Sequence, residues 1–131
     1  HAHTRAWSER IDAVDALVVV TPEYNYGMPA ILKNALDFLH HEWAHTPVAF
    51  VSYGGVSAGT RSVQMSKQVT TTLRMMPVFA AVSIPFVHQF LDEEDRIVPN
   101  DVMKDAARTM LDELAAAEEA LRPLRERGAA S

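Results

Sequence analysis

Three stretches of this sequence carry residue types whose spacing could do chemistry. His41-Glu42-Trp43-Ala44-His45 matches H-E-x-x-H, in which two histidines one helical turn apart hold zinc and the glutamate acts as base. Gly55-Val56-Ser57-Ala58-Gly59 fits G-x-S-x-G, the elbow that presents a nucleophilic serine between a strand and a helix. The third is a pair of loops, "TPEYNYGMP" from Thr21 and "SYGGVSAGTR" from Ser52. The first loop offers two tyrosines around an asparagine. The second offers glycine backbone that can approach a ligand closely. Together they suit a flat aromatic ring system, whose polar edges need donors and whose faces need apolar cover.

The zinc reading weakens once the pattern is placed on a helix. At about 100° per residue, Leu32, Leu36 and Leu39 face one way and His41 and His45 point roughly opposite. The pair is expected on an outer face before Pro47, and the spacing of His88 and Glu93 does not recommend either as a third ligand. No metal site is predicted. The nucleophile reading requires an acid and then a histidine downstream of Ser57. His88 is the only later histidine, no Asp or Glu lies between, and Asp92 and Asp95 follow it. A hydrolase acting through Ser57 therefore ranks third among the functions considered. A phosphate-binding P-loop is excluded, because no Gly-Lys-Ser/Thr follows the glycines.

The elements that must position the two loops alternate along the chain. Trp7, Ile11 and Val14 give a first helix, and Leu17–Val20 reads as a buried strand closed by Pro22. Residues 29–43 read as a helix entered at Pro29, with Leu32, Ala35, Leu36, Leu39 and Trp43 on one face. "PVAFVSYGG" is a second strand. A helix with Met65, Val69, Leu73 and Met76 on its seam follows, then a third strand in "FAAVSIPFV". The last helix carries Met103, Ala107, Met110, Leu114, Ala117 and Leu121 and is expected to end near Pro123. Such alternation predicts an α/β fold with a parallel sheet and helices on both faces. Residues 1–131 read as one domain without a linker or repeat.

Composition narrows the partners. A formal charge of −5 without Lys/Arg clusters argues against nucleic acid. The absence of cysteine removes disulfides and thiolate chemistry and suits a cytoplasmic protein. No apolar run reaches membrane-spanning length, so no membrane partner is expected.

"VVVTPEYNYGMPAILKNALDFL" closely resembles the signature of the NADPH-dependent FMN reductase family, flavodoxin-like proteins that include bacterial quinone and chromate reductases. The P-E-Y-N quartet, the following L-K-N-A-L-D and the spacing to "SYGGVSAGTRS" carry the likeness, from about Thr4 to Val87. Ala30 stands where many members have glycine. The resemblance implies a flavodoxin-like sheet of which three strands are present. It further implies that the family's opening strand, FMN-phosphate loop, helix and second strand are missing from this sequence. The chain is then expected to be the C-terminal two-thirds of the family fold, retained from a longer protein, with Leu17–Val20 left as a sheet edge.

The resemblance also implies FMN as cofactor and NADPH or NADH as hydride source. The hydride would pass to a flavin, quinone or similar small acceptor. Pro22, Glu23, Tyr24, Asn25, Tyr53, Gly54, Gly55 and Gly59 are the implied cofactor-binding residues, chiefly through backbone groups, and no side-chain acid or base is needed. Arg61 is open to two readings, a grip on nucleotide phosphates or a solvated cation. Ile31, Phe38 and His45 recur every seven residues as a second apolar edge, open to two readings: packing under a neighbouring loop, or the edge through which, as the resemblance implies, family members pair as homodimers or tetramers. The second function considered is non-enzymatic: a degenerate flavin-binding or assembly module.

Overall fold

The computed structural model describes residues 2–129. Helix α1 (Ala2–Asp12) leads into strand β1 (Leu17–Thr21), helix α2 (Ala30–Asp37) and a short 3-10 turn at His41–Trp43. Strand β2 (Pro47–Tyr53), helix α3 (Thr60–Thr72), the short strands β3 (Met76–Pro77) and β4 (Val82–Ile84), a 3-10 turn at Val87–Phe90 and helix α4 (Asp101–Ala129) follow. All strand pairings are parallel. β1 runs beside β2 from Leu17 opposite Val48 to Thr21 opposite Ser52, and β3 and β4 both pair with the other edge of β2.

The sheet thus holds four strands in three positions: β4 lies within the expected third strand, while β3 forms just before it, at Met76 and Pro77, where the preceding helix was expected to end. Between the two, the Val78 amide still donates to the Val48 carbonyl (2.9 Å), but the Ala80 amide donates to the Glu113 carboxylate of α4 (2.8 Å). A side chain from the covering helix replaces one rung of the ladder.

Helices cover both faces, as the alternation predicted. One core joins Ile11, Leu36, Leu39, Trp43 and Phe50 with Leu73, under α1, α2 and α3. The other joins Ala49, Val82 and Ile84 with Met103, Met110 and Leu114 of α4. Val48, Ala49 and Phe50 of the central strand are buried, the signature of a strand covered twice.

Three helices depart from their expected form. α2 stops at Asp37, far short of Trp43, although no glycine or proline marks the stop. Glu42 provides the alternative: its carboxylate accepts the Ser8 hydroxyl (2.7 Å) and the His40 amide (3.1 Å), pinning the turn against α1. Trp43 still reaches the core, with its indole N–H on the Leu36 carbonyl at 2.9 Å. In α3 the buried face is Ser62, Val63, Ser66 and Thr70; Met65 of the expected seam is exposed, and Met76 lies past the helix end at Thr72, in β3. Small hydroxyl residues let the helix approach the sheet, and their protons go to carbonyls one turn back, Ser66 to Ser62 and Thr70 to Ser66. α4 keeps its predicted seam but runs on through Pro123 to Ala129. Beyond the proline, Arg125 ties the helix to the carboxylate and carbonyl of Asp15 at the entrance to β1.

Among the described residues β1 pairs only with β2, so its outer edge is open, as expected. Val18 and Val20 on that strand are exposed.

Candidate functional site

Parallel neighbours deliver their following loops to the same end of a sheet, where open α/β sheets collect ligands. β1 and β2 end in register at Thr21 and Ser52, so the tyrosine–asparagine loop and the glycine loop leave side by side. Side chains then join them. Thr21 Oγ1 lies 3.1 Å from Ser62 Oγ, and the Met28 amide meets Met65 Sδ at 3.4 Å.

The strongest tie is Glu23. One carboxylate oxygen accepts the Arg61 Nε–H at 2.5 Å, and the other accepts the Ser57 hydroxyl and the Arg61 backbone N–H, each at 3.1 Å. Only 7% of this side chain is exposed. A carboxylate at the first turn of α3 also meets that helix's positive end. Burial pushes the Glu23 carboxyl up, yet the hydrogen bonds from Arg61 and Ser57, with the guanidinium charge, outweigh it and hold the group below the usual carboxylate range. Glu23 is not a solvated surface carboxylate. It is the peg between two loops.

The tyrosine loop closes as a two-residue turn. Tyr24 and Gly27 exchange amide-to-carbonyl bonds of 3.0 Å each, and both central residues are left-handed, Asn25 at φ 49° and Tyr26 at φ 70°. Such mirror-image turns ordinarily take Asn-Gly. Here the second position is tyrosine, for which a left-handed backbone costs about 1–2 kcal/mol. The Arg61 guanidinium lies over the Tyr26 ring, 3.6 Å from its centroid. Neither reading of Arg61 anticipated this, since its charge is committed to Glu23 and its flat face to Tyr26.

The glycine loop divides by role. Gly59, at φ 76°, begins α3 packed against Tyr53, which requires a glycine there for internal reasons. The Gly54 amide donates to the Ile84 carbonyl at 3.2 Å, so it is not free for a ligand as the family resemblance implied. Tyr53 is half-buried and packs on the α4 core. Pro22 is half-buried, its carbonyl taking the Thr21 hydroxyl at 2.9 Å. Gly55 has open space beside its α-carbon. Among the described residues the backbone N–H groups of Glu23, Asn25, Tyr26, Gly55, Val56 and Ser57 donate no hydrogen bond. Two adjoining loops therefore present unpaired donors on an open shelf, with Tyr24, Tyr26 and Val56 exposed along it. Unpaired backbone donors on loops that also expose aromatic and apolar side chains fit a planar ring with polar edges.

The competing motifs resolve against chemistry. The Ser57 hydroxyl donates its hydrogen bond to Glu23, and among the described residues no histidine hydrogen-bonds to it. His41 and His45 share no helix, His45 sits beside Arg74, and no group of three candidate ligands gathers among the described residues.

Comparison with known proteins agrees. The family described as NADPH-dependent FMN reductase matches residues 1–89. An NAD(P)H-dependent FMN reductase of Schizosaccharomyces pombe is 48% identical over 85 residues, 63% of this chain and 42% of that protein. One from Saccharomyces cerevisiae is 46% identical over 83 residues, 63% of this chain and 43% of its own length. The chain therefore spans less than half the length of these relatives. The solved structure of FerB, a flavoenzyme NAD(P)H:(acceptor) oxidoreductase of Paracoccus denitrificans, shares the fold at a TM-score of 0.70 and 18% identity, over 94% of this chain and 69% of that one. This chain, with its flavodoxin-like parallel sheet and its paired strand-end loops, belongs to the NADPH-dependent FMN reductase family.

Proposed function

We propose that this chain forms the ring-binding part of an FMN-dependent NAD(P)H oxidoreductase that serves a small acceptor such as a quinone or flavin. The observation carrying this reading is the shelf of unpaired backbone donors on two loops that Glu23 pegs together. FMN, when bound, would supply the hydride chemistry that links a nicotinamide nucleotide to the acceptor. The amides of Asn25, Tyr26 and Gly55 bind polar ring edges and meet the negative charge that arrives with the electrons, as an oxyanion hole does. Tyr24 and Pro22 give apolar cover. Glu23 is occupied by Arg61 and Ser57, in keeping with a site that needs no side-chain acid.

The exposed Ile31 and Phe38 on α2 and at its end support self-association as a homodimer or tetramer. His45 does not join them, because α2 ends before it. No described helix is long and apolar enough to cross a membrane, and with no cysteine a cytoplasmic setting is the natural one.

The test is a titration of the purified protein with FMN, read by flavin fluorescence, followed by anaerobic NADPH. Saturable quenching and bleaching of the flavin band support the reading. Flavin uptake with no bleaching turns it toward the non-enzymatic carrier, and no uptake removes it.

A further inference from the structure

Within the proposed flavin shelf, one element holds a conformation its own sequence resists. The Tyr24–Gly27 turn places a tyrosine where glycine is usual, at φ 70°. Turns of this kind persist when surrounding contacts over-determine them. Three contacts do so here. The Arg61 guanidinium covers the Tyr26 ring at 3.6 Å. Glu23 fixes that guanidinium through Nε and is itself fixed by the Ser57 hydroxyl and the Arg61 amide. On the turn's far side, a β-carbon on Gly27 would stand 3.1 Å from Met65 Sδ, so α3 closes on the turn there as well.

Every one of these contacts comes from α3 or the loop that enters it. The planar guanidinium is needed for both tasks at once, since lysine could answer Glu23 but could not lie flat on a ring. The Arg61 side chain is 40% exposed even with its guanidinium held between Glu23 and the Tyr26 ring.

We infer that Arg61 and Glu23 are positioning residues that hold Tyr26 left-handed, and so fix the free Asn25 and Tyr26 amides before any flavin arrives. Arg61 on this view is no anchor for nucleotide phosphates. The flavin consequence rests on the function proposed above; the turn geometry does not.

The test uses the full chain and two readouts. Backbone NMR couplings and carbon shifts of Asn25 and Tyr26, recorded without flavin, report the sign of φ. Fluorescence titration reports the FMN dissociation constant. Arg61→Ala and Arg61→Lys are expected to lose the left-handed signature at Tyr26 and to weaken FMN on the order of tenfold, the equivalent of losing the left-handed preference. Adding Tyr26→Gly to either is expected to recover most of that loss, because glycine adopts the conformation unaided. A merely structural arginine gives no such rescue.

The inference is overturned if Tyr26 keeps its left-handed signature without Arg61, or if the double variants bind FMN no better than the single ones. It is also overturned if Arg61→Lys leaves FMN affinity intact and raises only the KM for NADPH, as a phosphate anchor would. Should Arg61→Ala fold poorly, Arg61→Lys and Glu23→Gln carry the same comparison. Wild-type protein that binds no FMN removes the proposed function, while the couplings still decide the geometry.

Discussion

Gly59 sits so close to Tyr53 that a β-carbon on it would lie 2.7 Å from the Tyr53 carbonyl oxygen and 2.9 Å from the Tyr53 amide nitrogen. Neither backbone atom can retreat without moving β2. Gly59→Ala is therefore expected to destabilise the fold by roughly 2–4 kcal/mol, combining a left-handed alanine with overpacking. Gly55 is the contrast, with nothing within 4 Å of its would-be β-carbon. Gly55→Ala should change stability by less than about 0.5 kcal/mol. Urea denaturation of the two variants checks this, and equal losses would refute the division of roles.

Trp43 carries the corner that α2 fails to reach. It is 2% exposed, stacks edge-on against Trp7 with centroids 6.1 Å apart, and donates to the Leu36 carbonyl. Trp43→Ala is expected to cost about 3–5 kcal/mol. Trp43→Phe keeps most of the volume but leaves the carbonyl unpaired, at about 1–3 kcal/mol. Thermal unfolding followed by far-UV circular dichroism ranks them; a Phe variant as damaged as the Ala variant argues against the ring's volume as the main contribution.

Glu42 should set part of the acid limit of stability. Burial raises its carboxyl, but the Ser8 hydroxyl, the local backbone amides and nearby His41 together hold it below the ordinary 4.5. His41, Arg5 and Glu9 line the same recess. A depressed folded value means that the stabilisation is fully present above pH 4.5 and is lost as pH falls through the folded value. Glu42→Gln should flatten the fall in stability below that point. Parallel acid curves for variant and parent would show that the carboxylate contributes nothing there.

Phe38 is half exposed at the end of α2, beside His3 at 6.4 Å, and Ile31 in the first turn of that helix stands more exposed still. If this edge joins two copies, Phe38→Glu should reduce the mass seen by light scattering to that of one chain. An unchanged mass ends the pairing proposal.

Much of the architecture was readable because buried parallel strands and amphipathic helices write themselves as runs and periods. Leu17–Val20 and Pro47–Tyr53 are plain apolar runs, and Met103, Met110 and Leu114 keep a helical seam. The failures share a cause. Glu42 ended α2 and Glu113 took the place of a strand rung through contacts more than thirty residues away in the chain, which no local pattern records. The helix α3 and the packing of Val69 and Leu73 follow the apolar seam, but the rest of its buried face does not, because it is made largely of hydroxyls whose partners include its own carbonyls. At the site, residue types located both loops, but the carboxylate–guanidinium–ring stack that joins them could not be read. P-E-Y-N and the distant arginine become neighbours only after β1 and β2 align.

The bare flank of β1 has a practical consequence. A row of unsatisfied amides and carbonyls bordered by Val18 and Val20 is a template onto which another extended segment can zip. Among the described residues nothing occupies that seam, and a strand added there would satisfy those groups. Val20→Lys would place a gatekeeper charge there.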